Sequence, residues 1–353
     1  LIFKRWRLLF IVKYIILTKI QDKGSAMNVR FYIIACMLVL TGWRCYPQDP
    51  AFSNFTSNII YVNPAYASSV PNTELSLTYR NQWPGLPGSF LNYGAAAAVP
   101  VKRFNSGIGF YFLSDIQGGG IVAVTSVNSI YAYRIKINSD INLNAGLQAT
   151  YFFEKLDAGE LVFESDIRNN QGTNYGAEVF ESTRSNFWDF SLGFMTEIKK
   201  LINIGFSVGH LTKPYRYFSS SGNSRLHWKY SFHASCELPL SVSYRESAPV
   251  IIPSVLYQKH QQHNRINYGA GLLIKPLFAG IWAENNLRLN FSSLTVAAGY
   301  ISKNYSIIYN YDINLTGANV LDLNMGAHEA VFLLKIRYKE KRRNNRTIKS
   351  LKL

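Results

Sequence analysis

The side chains best suited to chemistry in this sequence are six histidines, three cysteines and a cluster of acids, and their spacing limits what they can do. A hydrolase needs a nucleophile and a base within hydrogen-bond reach on one surface. His210, His227, His233 and His328 are the candidate bases. On a two-residue period His227 and His233 share parity with Lys229 and Glu237, so all four point inward together from one strand. No serine-nucleophile motif accompanies them, and a histidine on an inner wall is more readily a hydrogen-bonded wall residue than a catalyst. His260-x-x-His263 has metal-ligand spacing but lies in a loop between Lys259 and Arg265, a poor setting for a cation. Asp157, Glu160, Glu164, Asp166, Glu178 and Glu181 face only Arg168 in the stretch 156–183, which suits Ca²⁺, a basic partner or plain solvation. The expectation is a protein with no catalytic residue, no cofactor and no metal.

The cysteines carry no chemistry either. Met27-Asn28-Val29-Arg30 followed by the apolar run Phe31 to Trp43 has the form of a secretory signal peptide, 27–47. Cleavage near Pro47 or Gln48 removes Cys36 and Cys45 and leaves Cys236 alone, so the exported chain holds no disulfide and no cysteine zinc site. Ile33-Ile34-Ala35-Cys36 resembles a lipidation box, but the apolar run continues past the cysteine. Residues 1–26, which are not headed by Met, read as translated upstream sequence.

Composition decides which surroundings these residues occupy. The 353 residues are 48% hydrophobic with a mean hydropathy of −0.03, which leaves no room for a bundle of membrane helices, each needing about 20 apolar residues. Charged residues make up 16% and aromatics 14%, so the surface is sparsely charged and ring-rich. The net charge of +16 sits at the ends. Residues 1–47 carry eight Lys/Arg against one acid, and 335–353 carry nine against one, leaving +1 for 48–334. A nucleic-acid groove needs its cations inside the folded part, so that class is set aside.

The strands that must position the remaining residues show in long alternations. Ile141, Leu143, Ala145, Leu147, Ala149, Tyr151 and Phe153 share one face, and Asn142, Asn144, Gly146, Gln148 and Thr150 share the other. The same period runs through Trp188 to Ile198, Trp228 to Leu238, Tyr305 to Ile313 and Phe332 to Tyr338. Strands this long, apolar on one face and polar on the other, fit an all-β transmembrane antiparallel barrel rather than a sandwich. Fourteen candidates run from 73–82 to 326–338, among them 186–199, 201–212, 225–238 and 248–258. Short links (101–103, 138–139, 199–200, 275–276, 302–304) fall after even strands, and the long ones (155–185, 213–224, 315–325) after odd strands. The stretch from Ser241 to Ala248 is too long for that rule, which points to a misplaced eighth or ninth strand. The parity places the amino terminus and the basic tail, 339–353, in the periplasm; the tail is a solvated end or a dock for an acidic partner or anionic lipid.

Residues 48–72 precede the first strand, lack long alternation and are expected to fold into the lumen as a plug-like segment, with Asn63-Pro64 fixing a turn. Arg80 falls on the luminal parity with Glu74, Ser76 and Thr78, positioned to pair with Asp189, Asp312 or Glu329, or simply to help fill and rigidify the barrel. Trp83 to Gly88 reads as an external hairpin with a rigid apolar tip.

A set of short motifs occurs in order along the chain: Asp49, Pro50 and Phe52 in Gln48–Ser53; Asn63, Pro64, Ala65 and Tyr66 in Tyr61–Ala67; and Tyr79-Arg80-Asn81-Gln82-Trp83. Gly107-Ile108-Gly109, Asp115 with Gly118-Gly119, Tyr131–Ile135, His210–Pro214, Tyr311-Asp312 and Gly326-Ala327-His328-Glu329 follow. Together they resemble the PorP/SprF family, Bacteroidetes outer-membrane proteins of type IX secretion and gliding motility. Ala51 and Ser68 depart from the family pattern, which usually has a bulkier polar residue and a glycine there. The resemblance implies a FadL-like barrel of fourteen strands, 73–338, in a Gram-negative outer membrane. It implies a non-enzymatic role in export or surface anchoring of secreted proteins. The implied partners are the periplasmic ring and lipoproteins of the secretion system, the carboxy-terminal domain of a secreted surface adhesin, and outer-membrane lipid, with no nucleic acid. The motif residues, with Asp312, His328 and Glu329, are the candidate plug and lumen set. The other reading is a channel for small hydrophobic molecules, which requires an apolar pocket inside; the inward parity is instead rich in Asn, Ser, Gly, Lys and Glu.

Overall fold

The computed structural model describes residues 49–86, 88–157, 183–216, 224–240, 248–286, 291–315 and 326–337. The signal segment, most of the acidic 156–183 stretch, Tyr338 and the basic tail lie outside the described residues.

Long alternating segments cannot bury both faces, so they pair edge to edge until no edge is left. The barrel strands are β1 (Thr73–Gln82), β2 (Phe90–Val101), β3 (Ser106–Gln117), β4 (Val122–Lys136), β5 (Ile141–Leu156), β6 (Thr183–Ile198) and β7 (Ile202–Gly209). They continue as β8 (Lys229–Cys236), β9 (Val250–His260), β10 (His263–Ile274), β11 (Leu277–Asn285), β12 (Phe291–Ile301), β13 (Tyr305–Asn314) and β14 (Ala327–Ile336). Each pairs antiparallel with its neighbours in sequence, and β1 pairs with β14 from Thr73–Ile336 to Gln82–Ala327, closing a fourteen-strand barrel. The strand number agrees with the sequence reading, whereas the alternation of link lengths fails in one region: the long β8–β9 link follows an even strand, and the two-residue β9–β10 turn, Gln261–Gln262, follows an odd one.

The two faces of each strand separate cleanly. Leu147, Phe153, Trp188, Phe190, Phe194, Phe232, Ile307 and Phe332 are exposed on the outside. Asn92, Asp115, Asn128, Asn144, Thr150, Asp189, Asn310 and Glu329 are buried on the inside. An apolar exterior around a polar interior is stable only where the surrounding solvent is itself apolar.

The structure corrects the eighth strand. Its alternation begins before and runs past the ladder: Ser224–Arg225 pairs instead with Tyr215–Arg216 in a small hairpin within the β7–β8 link. His227 therefore lies off the strand and exposed, and Glu237, one residue beyond β8, is exposed as well. Of the expected inward group, His233 is buried in the wall and Lys229 points inward, its Nζ 3.5 Å from the Tyr61 hydroxyl. The long β8–β9 link is genuine: Leu238–Pro239 pairs with Val250 and Ile251 after the ladder to β7 has stopped at Cys236–Ile202. His260 and His263 are not in an open loop either. They face each other as the last pair of the β9–β10 hairpin, and the His260 ring stacks on His210 with centroids 5.4 Å apart.

Candidate functional site

The described part of the amino-terminal segment, Asp49 to Asn72, is built from short capped turns, because it has no partner strand to satisfy its backbone. Asn54 Oδ1 accepts from Thr56 N at 3.0 Å and starts the 3₁₀ turn Phe55–Asn58, which leads into one helical turn, Ile59–Val62. Asn63 then caps Pro64–Ser68, its Oδ1 accepting from Ala65 N at 3.0 Å with proline at the first position of the turn. Phe52, Ile60, Ala67 and Val70 pack against Ala98, Tyr111, Leu113, Ile130 and Ala132 of β2 to β4. Phe55 and Val62 pack on Leu256 of β9.

A row of small inward residues makes room for this segment. Gly107, Ala132, Gly146, Gly193 and Ser207 are successive cross-strand partners from β3 to β7. A Cβ on Gly146 would lie 2.5 Å from Ala65 N and Pro64 C, and one on Gly193 or Gly107 would run into Asn63 Oδ1 or Ala67 O. The backbone of Asn63 to Ser68 thus lies where side chains would otherwise stand.

Polar bonds tie the segment down along its length. Asn63 Nδ2 donates to Phe194 O at 2.9 Å and sits 3.1 Å from His233 Nε2. Ser207 Oγ donates to Val62 O at 2.7 Å, Ser68 Oγ to Asn144 Oδ1 at 2.9 Å and Thr78 Oγ1 to Asn58 Oδ1 at 2.7 Å. Tyr66 OH donates to Glu74 Oε2 at 2.8 Å; burial first, then the facing carboxylate, push this phenol well above its ordinary pKa.

The strongest tie is at Ser53. Arg80 Nη1 lies 2.7 Å from Asp312 Oδ2 and 3.5 Å from Glu329 Oε2, and it contacts Ser53 Oγ. Ser53 N donates to Glu329 Oε2 at 2.7 Å and Ser53 Oγ to Asp312 Oδ2 at 2.8 Å. Thr295 Oγ1 and Asn310 Nδ2 satisfy the remaining carboxylate oxygens at 2.6 and 3.2 Å. One guanidinium between two carboxylates, with neutral donors on the outer oxygens, is a fully buried knot joining β1, β13, β14 and the segment.

The motif residues divide between the two faces. Arg80, Gln82, Asp312 and Glu329 face inward, with Gln82 Oε1 accepting from Arg80 Nη2 at 3.3 Å. Phe52 is buried against the Tyr61 ring, whose hydroxyl donates to Pro50 O at 3.0 Å; Asp49 and Pro50 are half-buried. Tyr79, Asn81 and His328 belong to the opposite, outward parity and are not luminal: Asn81 pairs with His328, and Tyr79 with Ala330 and Tyr93. Strict alternation forces this, since only every second residue of Tyr79–Gln82 can face the lumen. Trp83 leaves β1 with φ 61°, donates its N–H to Gly326 O at 2.7 Å and sets its ring edge-on to Phe90.

Asp189 does not reach Arg80. It accepts from Thr212 Oγ1 and contacts His210 Nδ1, both at 2.7 Å, fastening the turn His210–Pro214 where the β7–β8 link begins. That link folds inward again at Arg216, which is ion-paired with buried Glu154. Among the described residues no cluster of three or more His, Cys, Asp or Glu could hold a metal ion. Sequence reasoning passed over the small-residue row, whose signal was a glycine at an inward position on four of the five strands β3 to β7, namely Gly107, Gly146, Gly193 and Gly205.

A closed antiparallel barrel, apolar outside and polar inside, with a capped segment bonded to its inner wall, defines a membrane β-barrel protein. The sequence matches the family described as type IX secretion system membrane protein PorP/SprF over residues 45–333, and the chain belongs to that family. No curated protein matches it. Among solved structures, the toluene transporter TodX of Pseudomonas putida aligns at 8% identity over 78% of this chain and 93% of its own, with a TM-score of 0.45. A FadL homologue of Pseudomonas aeruginosa aligns at 13% identity over 77% of this chain and 91% of its own, with a TM-score of 0.37.

Proposed function

We propose that this barrel lies in a Gram-negative outer membrane and supports the export or surface anchoring of secreted proteins, holding their carboxy-terminal domains through the links at its long-link rim. Residues 27–47 are the signal peptide, 48–72 a plug, 73–338 the barrel, and 339–353 a periplasmic tail available to ring and lipoprotein components. The observation that carries this reading is the segment's attachment across the lumen, from the Ser53–Arg80–Asp312–Glu329 knot to Ser68 on Asn144. A lumen crossed by a fastened segment suits a scaffold that binds partners at its rims better than an open conduit. Asp49, Pro50, Phe52, Asn63, Pro64, Ala65 and Tyr66 act as the plug, and Arg80, Gln82, Asp312 and Glu329 as its luminal seat.

Deleting the gene tests the proposal. Loss of one or more large secreted proteins from the cell surface, with unchanged uptake of small hydrophobic compounds, supports anchoring. An intact surface proteome with impaired uptake contradicts it.

A further inference from the structure

The outward face of β14, β1, β2 and β3 is not a uniform apolar wall. On β2 the outward positions include Ala95 and Ala97, flanked across the ladders by Leu77 and Leu75 of β1 and by Phe112 and Phe110 of β3. Two successive small residues between taller banks leave an apolar groove of about 490 Å³. The banks stand on strands two ladder spacings apart, about 10 Å between backbones, before the leucine and phenylalanine side chains narrow the gap. A helix about 10–12 Å across does not enter such a groove, whereas a single hydrocarbon chain does.

The groove ends, toward the long-link rim, in a polar ledge. Tyr79 and Tyr93 stand side by side with ring centroids 5.4 Å apart, and beyond them Asn81 is paired with His328. Tyr309 OH lies 2.6 Å from His328 Nδ1, and the Tyr311 ring is 5.0 Å from the His328 ring. Asn81 Oδ1 is buried and has no hydrogen-bond partner among the described residues. That oxygen has no open surface, so the polar groups a ligand can reach at the ledge are the exposed Tyr309 hydroxyl and the His328 ring beside it.

We propose that this groove seats one acyl chain of a membrane lipid, and that the lipid's hydroxyl- or amine-bearing head group bonds the His328–Tyr309 pair. The occupant follows from three features: the groove lies within the lipid-facing apolar band, it is one strand wide, and a polar ledge stands at one end. Tyr79 and His328, motif residues that do not face the lumen, thereby acquire a role. This inference depends on the membrane barrel and not on the anchoring reading.

Native mass spectrometry of the protein extracted in mild detergent tests it. Wild type should retain about one lipid per barrel, and A97F should lose it by about tenfold or more, as expected when several methylenes lose their seat. A298F, the same change on the outward face of β12, should retain it. H328F should keep a lipid but lose the preference for head-group class shown by wild type. If A97F fails to give a folded, heat-modifiable band, A95L is read in its place. Equal retention by A97F and A298F overturns the proposal, as does a polypeptide that leaves with A97F in place of a lipid.

Discussion

Replacing Gly146 with alanine places one methyl group between the wall and the internal segment, and its effect can be worked from the geometry. The added Cβ would stand 2.5 Å from Ala65 N and Pro64 C, where ordinary contact begins near 3.4 Å. Backbone on both sides leaves the segment to retreat by roughly 1 Å, since interiors are close-packed. That shift stretches the bonds from Ser207 to Val62, Asn63 to Phe194 and Ser68 to Asn144, now 2.7, 2.9 and 2.9 Å, beyond hydrogen-bond range. At about 1 kcal/mol each, about 3 kcal/mol of local stability is lost, roughly a hundredfold in the opening equilibrium of the segment. Native-state hydrogen exchange in detergent micelles reads this directly. Amides of residues 53–68 should exchange roughly a hundredfold faster, while those of β10 to β13 keep their wild-type rates. Gly209→Ala is the matched control, because its Cβ meets nothing closer than Ser191 Oγ at 3.6 Å. Equal exchange of residues 53–68 in the two variants would refute the argument that the small-residue row exists to seat the segment.

Arg80→Ala leaves Asp312 and Glu329 buried without their cation and should lower unfolding stability by about 3–5 kcal/mol, with E329Q in the same chain restoring part of it; a denaturant midpoint moved by an amount worth under about 1 kcal/mol would contradict the knot. Trp282→Ala removes a ring buried against Phe278 and Ala297, and its Nε1 bond to Ser254 at 2.9 Å. It should lower stability by about 3–5 kcal/mol in the same assay without speeding exchange of residues 53–68, which lie outside that cluster. Thr212→Val leaves Asp189 with one partner fewer and should speed protease cleavage within 210–228 while the strands stay intact, seen by peptide mapping. A protease site placed at Asn170 should be cut on intact cells and one in the tail spared, as the link parity predicts; the reverse pattern would invert the topology.

Alternation made the barrel legible because a strand facing lipid on one side and a polar lumen on the other must spell its period in full. It was least reliable where a polar–apolar rhythm continues into an irregular link, as at Arg225 to Trp228, where the backbone leaves the ladder while the sequence keeps time. The acids available to Arg80 were legible by parity, but the choice among them was not. Asp189 and Asp312 both face inward, and only the closure of β1 on β14 brings Asp312 and Glu329 within reach and leaves Asp189 beside His210. The seat of Asn63 to Ser68 was hidden for another reason: a glycine reads as a break in a pattern, and its purpose appears only when the object filling its place is known.

Affinity purification of the tagged barrel from detergent-solubilised outer membranes, with mass spectrometry of what accompanies it, tests the central claim most directly. The account predicts a large secreted protein with a carboxy-terminal sorting domain, or components of the secretion ring, captured in amounts comparable with the barrel. A barrel recovered with neither, carrying instead a fatty acid or aromatic hydrocarbon that competes for a site inside the lumen, would contradict it.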